Sequence, residues 1–249
     1  MSSLATSVIV FACIFGGALL GMVLRTVLPE HHLSAESKDI VKVGMGVVGT
    51  MAALVLGLLV ASAKSSYDTQ QSEVMQMSAN VIFLDRILAH YGPETKDTRE
   101  LLRGAVVRSL TLIWHEDNSQ PTEPTAAGAE GLYDKILALA PQTDAQRTIQ
   151  GQAFSLLSNL GQARWLLYEQ AGSALPVPFL VVVVFWLTII FISYGLFAPP
   201  NATVIATLVV CALSVSGAIF LVVELDRPFQ GLMQISSAPL RNALAHFGQ

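Results

Sequence analysis

The sequence predicts an all-α membrane protein: four transmembrane helices, with a cytoplasmic helical bundle inserted between the second and third spans. Three observations predict this class. Of the 249 residues, 53% are apolar and only 13% are charged, about half the charge of a typical soluble chain. The charge is missing from three long windows and is concentrated between them. Between those windows apolar residues recur with a helical period, and no strand alternation appears.

The first two spans are uncharged runs of the length that a bilayer requires. Leu4–Leu24 and Val43–Ala63 each contain 21 residues without a charge, and a helix needs roughly 20 residues to cross the hydrocarbon core. The first run has no basic segment before it and is longer than the apolar part of a signal peptide. We therefore interpret it as a retained span.

The last two spans come from one uncharged stretch of 54 residues between Glu169 and Glu224. Two helices fit this length if a turn divides them. The sequence Ala198-Pro199-Pro200-Asn201 supplies that turn, because paired prolines cannot continue a helix. The spans are predicted at about Leu175–Phe197 and Ala202–Val223.

These spans define four predicted regions. Residues 1–63 hold the first two spans, 64–174 the bundle, 175–223 the transmembrane hairpin, and 224–249 a cytoplasmic C-terminal segment. An even number of spans places both termini and the bundle on one side of the membrane. Basic residues near the span ends favour the cytoplasm for that side; it carries Lys64, Arg164, Arg227 and Arg241, against Arg25, Lys38 and Lys42 on the other side.

The bundle is predicted to begin as a continuation of the second span. Apolar residues at spacings of three and four mark one helix face: Val74, Met77, Val81, Leu84 and Leu88. No breaker precedes Gly92-Pro93, so one long helix is expected to end at Tyr91. Further helices are expected at about Glu94–Trp114, at Ala129–Ala140, and from Thr143 or Asp144 onward. A polar loop, His115–Gly128, interrupts them, and Gly172 and Pro176 mark a bend before the third span.

Small residues occupy every fourth position of the second span: Gly49, Ala53, Gly57 and Ala61. Small side chains let helix backbones approach closely in lipid. One interpretation is packing within the chain. The other is packing around a symmetry axis, with the opposite face turned to a pore as a hydrophobic constriction that gates by dewetting. That face carries Val47, Met51, Leu54 and Leu58. The sequence leaves both interpretations open.

A cluster of charges ends the fourth span: Glu224, Asp226 and Arg227, followed by Pro228. Ionisable residues at a span end commonly mark the interface, where they satisfy the helix terminus. In the alternative interpretation Glu224, the deepest of the three, lines the inner vestibule of an ion pathway.

Several other classes of function lack support in the sequence. A net charge of −4 without a basic patch argues against nucleic acid as a partner. The pattern Gly44–Gly49 matches a dinucleotide fingerprint, but it lies inside an apolar span with no preceding strand. No triad of nucleophile, base and orienting group is apparent, so we do not expect an enzyme.

Metal and cofactor sites are not expected either. His31 and His32 lie near Glu30 and Glu36 in the first loop, but no ligand spacing closes a zinc site. Cys13 and Cys211 each lie in an apolar run and are expected to act as small apolar residues, unpaired with each other.

Three segments resemble a known family. They are Glu224-Leu225-Asp226-Arg227-Pro228-Phe229-Gln230-Gly231 with the following Ile235–Leu240, the hairpin Gly195–Asn201, and Leu56–Ala63 leading to Tyr67-Asp68. Together they resemble the bestrophin-like domain family of bacterial membrane proteins. The resemblance implies a multi-pass protein of the bacterial inner membrane. By similarity to bestrophins, it also implies a pentameric, anion-conducting channel whose second span lines the pore and extends into a cytosolic helical domain.

Two hypotheses of function follow. The first is a homo-oligomeric ion channel that contacts membrane lipid and inorganic ions, with Leu54 and Leu58 as the constriction. The second is a non-conducting membrane scaffold or sensor whose bundle binds a partner; the absence of a charged lining in any span favours it. A transporter ranks third, because no span carries a charge at mid-membrane depth.

Overall fold

The computed structural model describes residues 2–29, 34–114, 127–170 and 177–247. Every regular element in these ranges is helical. The helices are α1 (Ser3–Val27), α2 (Ala35–Tyr91), α3 (Lys96–Trp114), α4 (Ala127–Leu137), α5 (Asp144–Gln170), α6 (Val177–Phe197), α7 (Ala202–Leu225) and α8 (Ala238–Ala245), with a short 3-10 turn, Pro93–Thr95, before α3. Among the described residues α1, α2, α6 and α7 are long and apolar enough to cross a membrane. The predicted all-helical class with four apolar spans is confirmed.

The chain divides into two compact units. The first, which we call the span unit, comprises Met1–Tyr67 and Ser173–Arg227, and the second, the bundle unit, comprises Asp68–Gly172 and Pro228–Gln249. Helix α2 contributes to both, because it is unbroken over 57 residues from Ala35 to Tyr91. The predicted long helix that ends before Gly92 is therefore confirmed. The predicted loop His115–Gly128 lies outside the described residues as far as residue 126, and α4 begins at Ala127, two residues earlier than predicted. The predicted bend at residues 172 and 176 also lies outside the described residues.

In the span unit, α1 and α6 lie parallel with their backbones in direct contact. A β-carbon built on Gly21 would lie 2.9 Å from the carbonyl carbon of Ile192, and one built on Gly195 would lie 2.9 Å from that of Ala18. Both would overlap the attached carbonyl oxygens. Only glycine fits at these two positions, and it allows the close approach on which helix association in lipid depends.

Helix α7 runs antiparallel to α1 and completes the core of the span unit. Ser7 Oγ of α1 donates a hydrogen bond to the carbonyl oxygen of Ser216 at 3.1 Å. Around it lies a cluster of apolar side chains from α1, α6 and α7: Val10, Ile14, Ala18, Phe191, Leu208, Ala212, Ile219 and Val223. A smaller cluster joins α2 to α6 and α7 through Leu59, Ala63, Val183, Val222 and Leu225.

The bundle unit is built around the predicted apolar face of α2. The five predicted core residues Val74, Met77, Val81, Leu84 and Leu88 are each at most 5% exposed, which confirms that face. Helices α3, α4 and α5 add further buried side chains, and so does the C-terminal segment: Leu102, Val106, Leu110, Leu132, Ile136, Leu157, Ile235 and Leu240.

One charged residue lies on this apolar face. Asp85 of α2 is only 3% exposed. Its two carboxylate oxygens accept hydrogen bonds from Arg99 of α3, from Nε at 2.6 Å and from Nη2 at 2.8 Å. This paired geometry raises the pKa of the Arg99 guanidinium, chiefly through the hydrogen bond to Asp85. A two-point pair of this kind fixes the position of α3 on α2.

A cap closes the C-terminal end of α2. Gly92 has a φ of 145°, a conformation open to glycine and strained for other residues. The Thr95 hydroxyl lies 2.6 Å from the carbonyl oxygen of Leu88 and 2.8 Å from that of Gly92. The hydroxyl shares its one proton between these two acceptors, of which the carbonyl of Leu88 is one that the end of α2 leaves without a partner in the helix.

Tyr91 gives a first prediction. Its side chain is 3% exposed, and its hydroxyl has no hydrogen-bond partner within the described part of the chain. Because phenylalanine keeps the ring and removes the unsatisfied polar atom, Tyr91→Phe is expected to leave the free energy of unfolding unchanged or to raise it by up to about 1 kcal/mol. Thermal melting of the purified protein in detergent measures this, and a drop of several degrees would show that the hydroxyl has a partner.

Candidate functional site

The apolar part of α2 presents three faces, of which the chain itself covers one. The covered face carries Ala52, Leu59 and Ala63, each 2–4% exposed. Leu59 and Ala63 pack against Val183 of α6 and Val222 of α7. This face anchors α2 to the rest of the span unit.

The second face carries the predicted pore-lining residues. Val47, Met51, Leu54 and Leu58 are between 47% and 71% exposed. All four lie on the surface of the protomer, one above another along the helix. In a chain that crosses a membrane, such a surface meets lipid, another subunit or a pore.

The third face carries the small residues. Ala53, Gly57 and Ala61 are exposed, and a β-carbon built on Gly57 would meet no atom within 4 Å among the described residues. Gly49 is partly buried and lies near Ile190, whose Cδ1 would be 3.8 Å from a β-carbon added there. Most of this small-residue face is therefore not used for packing within the described protomer.

The angular order of these faces differs from the expected one. At 3.6 residues per turn, the small-residue face and the face of Leu54 are about 110° apart, not opposite each other. The covered face lies a further third of a turn around the helix. Each face thus takes about one third of the circumference of α2.

Helix α2 is also the span with the least cover from its own chain. In the most apolar stretch of each spanning helix, 11% of the residues are buried in α2, against 28% in α1 and 22% in each of α6 and α7. The other three spans pack mainly with one another. Among the four described spans, α2 thus has the smallest share of residues buried within the protomer.

Glu224 connects the C-terminal end of α7 to the N-terminal end of α1. It is 1% exposed and accepts a hydrogen bond from the hydroxyl of Ser3 at the start of α1. A buried carboxylate requires such partners. In this structure Glu224 connects α7 to α1 within the protomer, and its role in an inner vestibule stays a prediction. The contribution of Ser3 was not foreseen from the sequence.

The residues after Glu224 end the helix. The backbone N–H of Asp226 donates to the carbonyl oxygen of Val222 at 3.2 Å, and that of Arg227 donates to Glu224 at 3.1 Å. Asp226 is partly buried and Arg227 is exposed. Of the three charged residues, Arg227 is the one whose side chain is open to solvent in the protomer.

The later part of this segment packs in the bundle unit. Phe229 meets the Trp114 ring edge-on, with 5.5 Å between the ring centroids. Trp114 Nε1 donates a 2.7 Å hydrogen bond to the carbonyl oxygen of Ile235, and Ser78 Oγ of α2 donates to that of Pro239 at 2.6 Å. The segment is thus fixed to α2 and α3 by side chains that reach its backbone.

Groups that could hold a metal are not found in the described ranges: no three or more His, Cys, Asp or Glu side chains converge there. His31, His32 and Glu30 lie outside these ranges. Cys13 and Cys211 are exposed on the spans and do not form a disulfide.

Comparison with known proteins gives one family and one fold. The family model described as the bestrophin-like domain matches residues 12–240. Among curated proteins no significant match is found. A crystal structure of a bacterial bestrophin homologue from Klebsiella pneumoniae, carrying a single substitution, superposes with a TM-score of 0.72 at 14% identity, over 97% of this chain and 99% of that one. A second substituted form gives a TM-score of 0.70 at 15% identity, over 95% and 99% of the two chains.

Proposed function

The chain belongs to the bestrophin-like family, and from that premise we propose that it is an ion channel of five identical subunits whose second span lines the pore. The observation that carries the proposal is the sparse cover of α2. In its most apolar stretch, 11% of the residues are buried within the protomer. This share is half or less of the share in each of the other spans. A span that packs so little with its own chain is the one most available to other copies.

The three faces of α2 match the three surroundings of a pore-lining helix. The face of Ala52 and Leu59 meets the chain itself. The small-residue face, with Ala53 and Gly57, suits close packing against α2 of a neighbouring subunit. The remaining face then points to the axis. A helix face that contacts only lipid does not need small residues at every fourth position, whereas a face that packs closely against a neighbouring helix does.

The gate in this proposal is apolar. Leu54 and Leu58 are the most exposed of the four predicted pore-lining residues, at 71% and 62%. Leucine side chains from several subunits form rings that constrict the pore. When such an apolar ring is narrow, water leaves it, and ions are blocked although no charged barrier is present. Widening of the ring by a small rotation of α2 would rewet it.

The arrangement in the membrane belongs to the same proposal. Residues 64–174 and both termini lie in the cytoplasm and the spans cross a bacterial inner membrane. The distribution of basic residues supports this placement, with Lys64, Arg164, Arg227 and Arg241 on the cytoplasmic side.

Truncation of Leu54 tests the gate. In planar bilayers the purified protein is expected to give discrete currents, and Leu54→Ala is expected to raise the open probability roughly tenfold, the effect of lowering a dewetting barrier by about 1.4 kcal/mol. Leu213→Ala is the matched control, because Leu213 is 54% exposed on α7 and is assigned to lipid. Reversal potentials in asymmetric KCl show whether the pore prefers anions, as the resemblance implies.

Two outcomes would contradict the channel. One is silence of both the parent protein and Leu54→Ala at high protein-to-lipid ratio. The other is an equal effect of Leu54→Ala and Leu213→Ala, which would remove Leu54 from the pathway. Silence would favour the non-conducting scaffold or sensor.

A further inference from the structure

The bundle unit contains a partly open cavity that the proposed function does not use. It lies among five helices and has a volume of about 120 Å³. Its walls are mainly apolar and include Val81 of α2, Val106 of α3, Leu132 of α4 and Leu157 of α5. An engineered core cavity of about 150 Å³ takes up benzene. This cavity is somewhat smaller and partly open, so it can hold the apolar body of a small molecule whose remaining part lies at the opening.

Two arginines supply the charge of this cavity. Arg108 of α3 and Arg164 of α5 both line it, together with the hydroxyl of Ser109. No acidic side chain is among the described lining residues. The Ser109 hydroxyl donates its proton to the carbonyl oxygen of Ala105 at 3.0 Å, so the two guanidinium groups are the charged donors on the wall of this cavity.

The positive charge of Arg108 acts on the guanidinium of Arg164. Burial lowers the pKa of Arg164, and the positive charge of Arg108 lowers it further. Within the part of the chain that the structure describes, neither group forms a hydrogen bond or ion pair with another residue. Arg164 is partly buried and Arg108 is exposed. A partly desolvated arginine next to a like charge and without a counter-ion is unfavourable, and an anion between the two groups would remove the cost.

We propose that this cavity binds a small monocarboxylate with an apolar body, of the size of benzoate or hexanoate, with its carboxylate held by Arg108 and Arg164. The fork of N–H donors on a guanidinium fits a carboxylate with two parallel hydrogen bonds. The apolar walls take the remainder of the molecule. The site lies wholly within the bundle unit, so its occupancy does not depend on whether the protein conducts.

Binding of benzoate and hexanoate to the full-length protein in phosphatidylcholine nanodiscs tests this site. Isothermal titration calorimetry is expected to show saturable binding of both acids and at least tenfold weaker binding of benzyl alcohol, which keeps the ring and lacks the charge. Arg164→Gln is expected to weaken benzoate binding at least tenfold. Arg147→Gln is the matched control, because Arg147 lies on the same helix, is 69% exposed and pairs with Asp144 on the surface; it should leave the affinity unchanged.

A second variant fills the cavity. Gly161 lines it, and a β-carbon built there meets no atom within 4 Å among the described residues. Gly161→Leu is therefore expected to abolish benzoate binding while the ligand-free protein melts at the same or a higher temperature, because leucine favours a helix more than glycine does. Arg164→Gln should likewise melt no lower than the parent protein, because it removes a repulsion.

Four outcomes would overturn the proposal. They are no heat of binding with millimolar benzoate, equal affinities for benzoate and benzyl alcohol, unchanged benzoate affinity in both variants, and a lowered melting temperature of ligand-free Arg164→Gln. The last would show that Arg164 has a partner within the protein. Competition by palmitate supplied in the nanodisc lipid would also count against it, since it would assign the site to a membrane fatty acid in place of a small free acid.

Discussion

Asp85→Ala is expected to lower the free energy of unfolding of the bundle unit by about 3–5 kcal/mol, the cost of removing one partner from a buried ion pair. The carboxylate is almost fully buried and holds Arg99 through two hydrogen bonds, at 2.6 and 2.8 Å. Without it, the Arg99 guanidinium, whose side chain is 24% exposed, stays in an apolar contact region with no counter-charge. Thermal melting of the full-length protein in detergent should fall by roughly 10 °C.

A surface pair on α5 provides the control for this prediction. Asp144 lies 2.9 Å from Arg147, with side chains 96% and 69% exposed. Exposed ion pairs contribute about 0–1 kcal/mol, so Asp144→Ala should shift the melting temperature little. Joint replacement of Asp85 and Arg99 by leucine should recover much of the loss, because an apolar pair leaves no buried charge. Equal shifts for Asp85→Ala and Asp144→Ala would refute the assigned role of the buried pair.

Gly195→Leu is expected to disrupt the span unit. A leucine side chain at this position would overlap the backbone of α1 at Ala18. Even a β-carbon would lie 2.9 Å from the carbonyl carbon of Ala18. Neither backbone can yield without separating α1 from α6. We expect a loss of at least about 1–3 kcal/mol, the usual range for an overfilled core, seen as a lower yield of monodisperse protein and a lower melting temperature in detergent.

Gly16→Leu tests whether this effect is specific to the helix contact. Gly16 lies on α1, and a β-carbon built there meets nothing within 4 Å among the described residues. Leucine at that position should project into lipid and leave the yield unchanged. If Gly16→Leu and Gly195→Leu are equally harmful, leucine in any span is the cause and the close contact is not.

The helices of this protein could be predicted because their signals are local. Uncharged runs fixed the spans, the Pro199-Pro200 pair fixed the hairpin turn, and the three- and four-residue spacing from Val74 to Leu88 fixed the core face of α2. The end of α2 at Tyr91 followed from Gly92-Pro93. Helix α8 was not predicted, because its eight residues, Ala238–Ala245, are too few for a clear periodic pattern.

Contacts between distant segments could not be predicted in the same way. Asp85 interrupts an apolar face, and nothing local shows that Arg99, 14 residues later, pairs with it. Gly21 and Gly195 are far apart in the sequence, so their shared contact becomes visible only when α1 and α6 are placed side by side. The small-residue pattern of α2 drew attention to the span with the smallest share of buried residues, although its four positions do not pack against a helix of the same chain to any large extent.

The mass of the intact assembly tests the central proposal most directly. The uncovered faces of α2 are assigned to other copies of the chain and to a pore. Native mass spectrometry of the full-length protein in a mild detergent should therefore give a species of five times the protomer mass. A monomer or a simple dimer under the same conditions would contradict the account, because neither can close a ring of α2 helices around an axis.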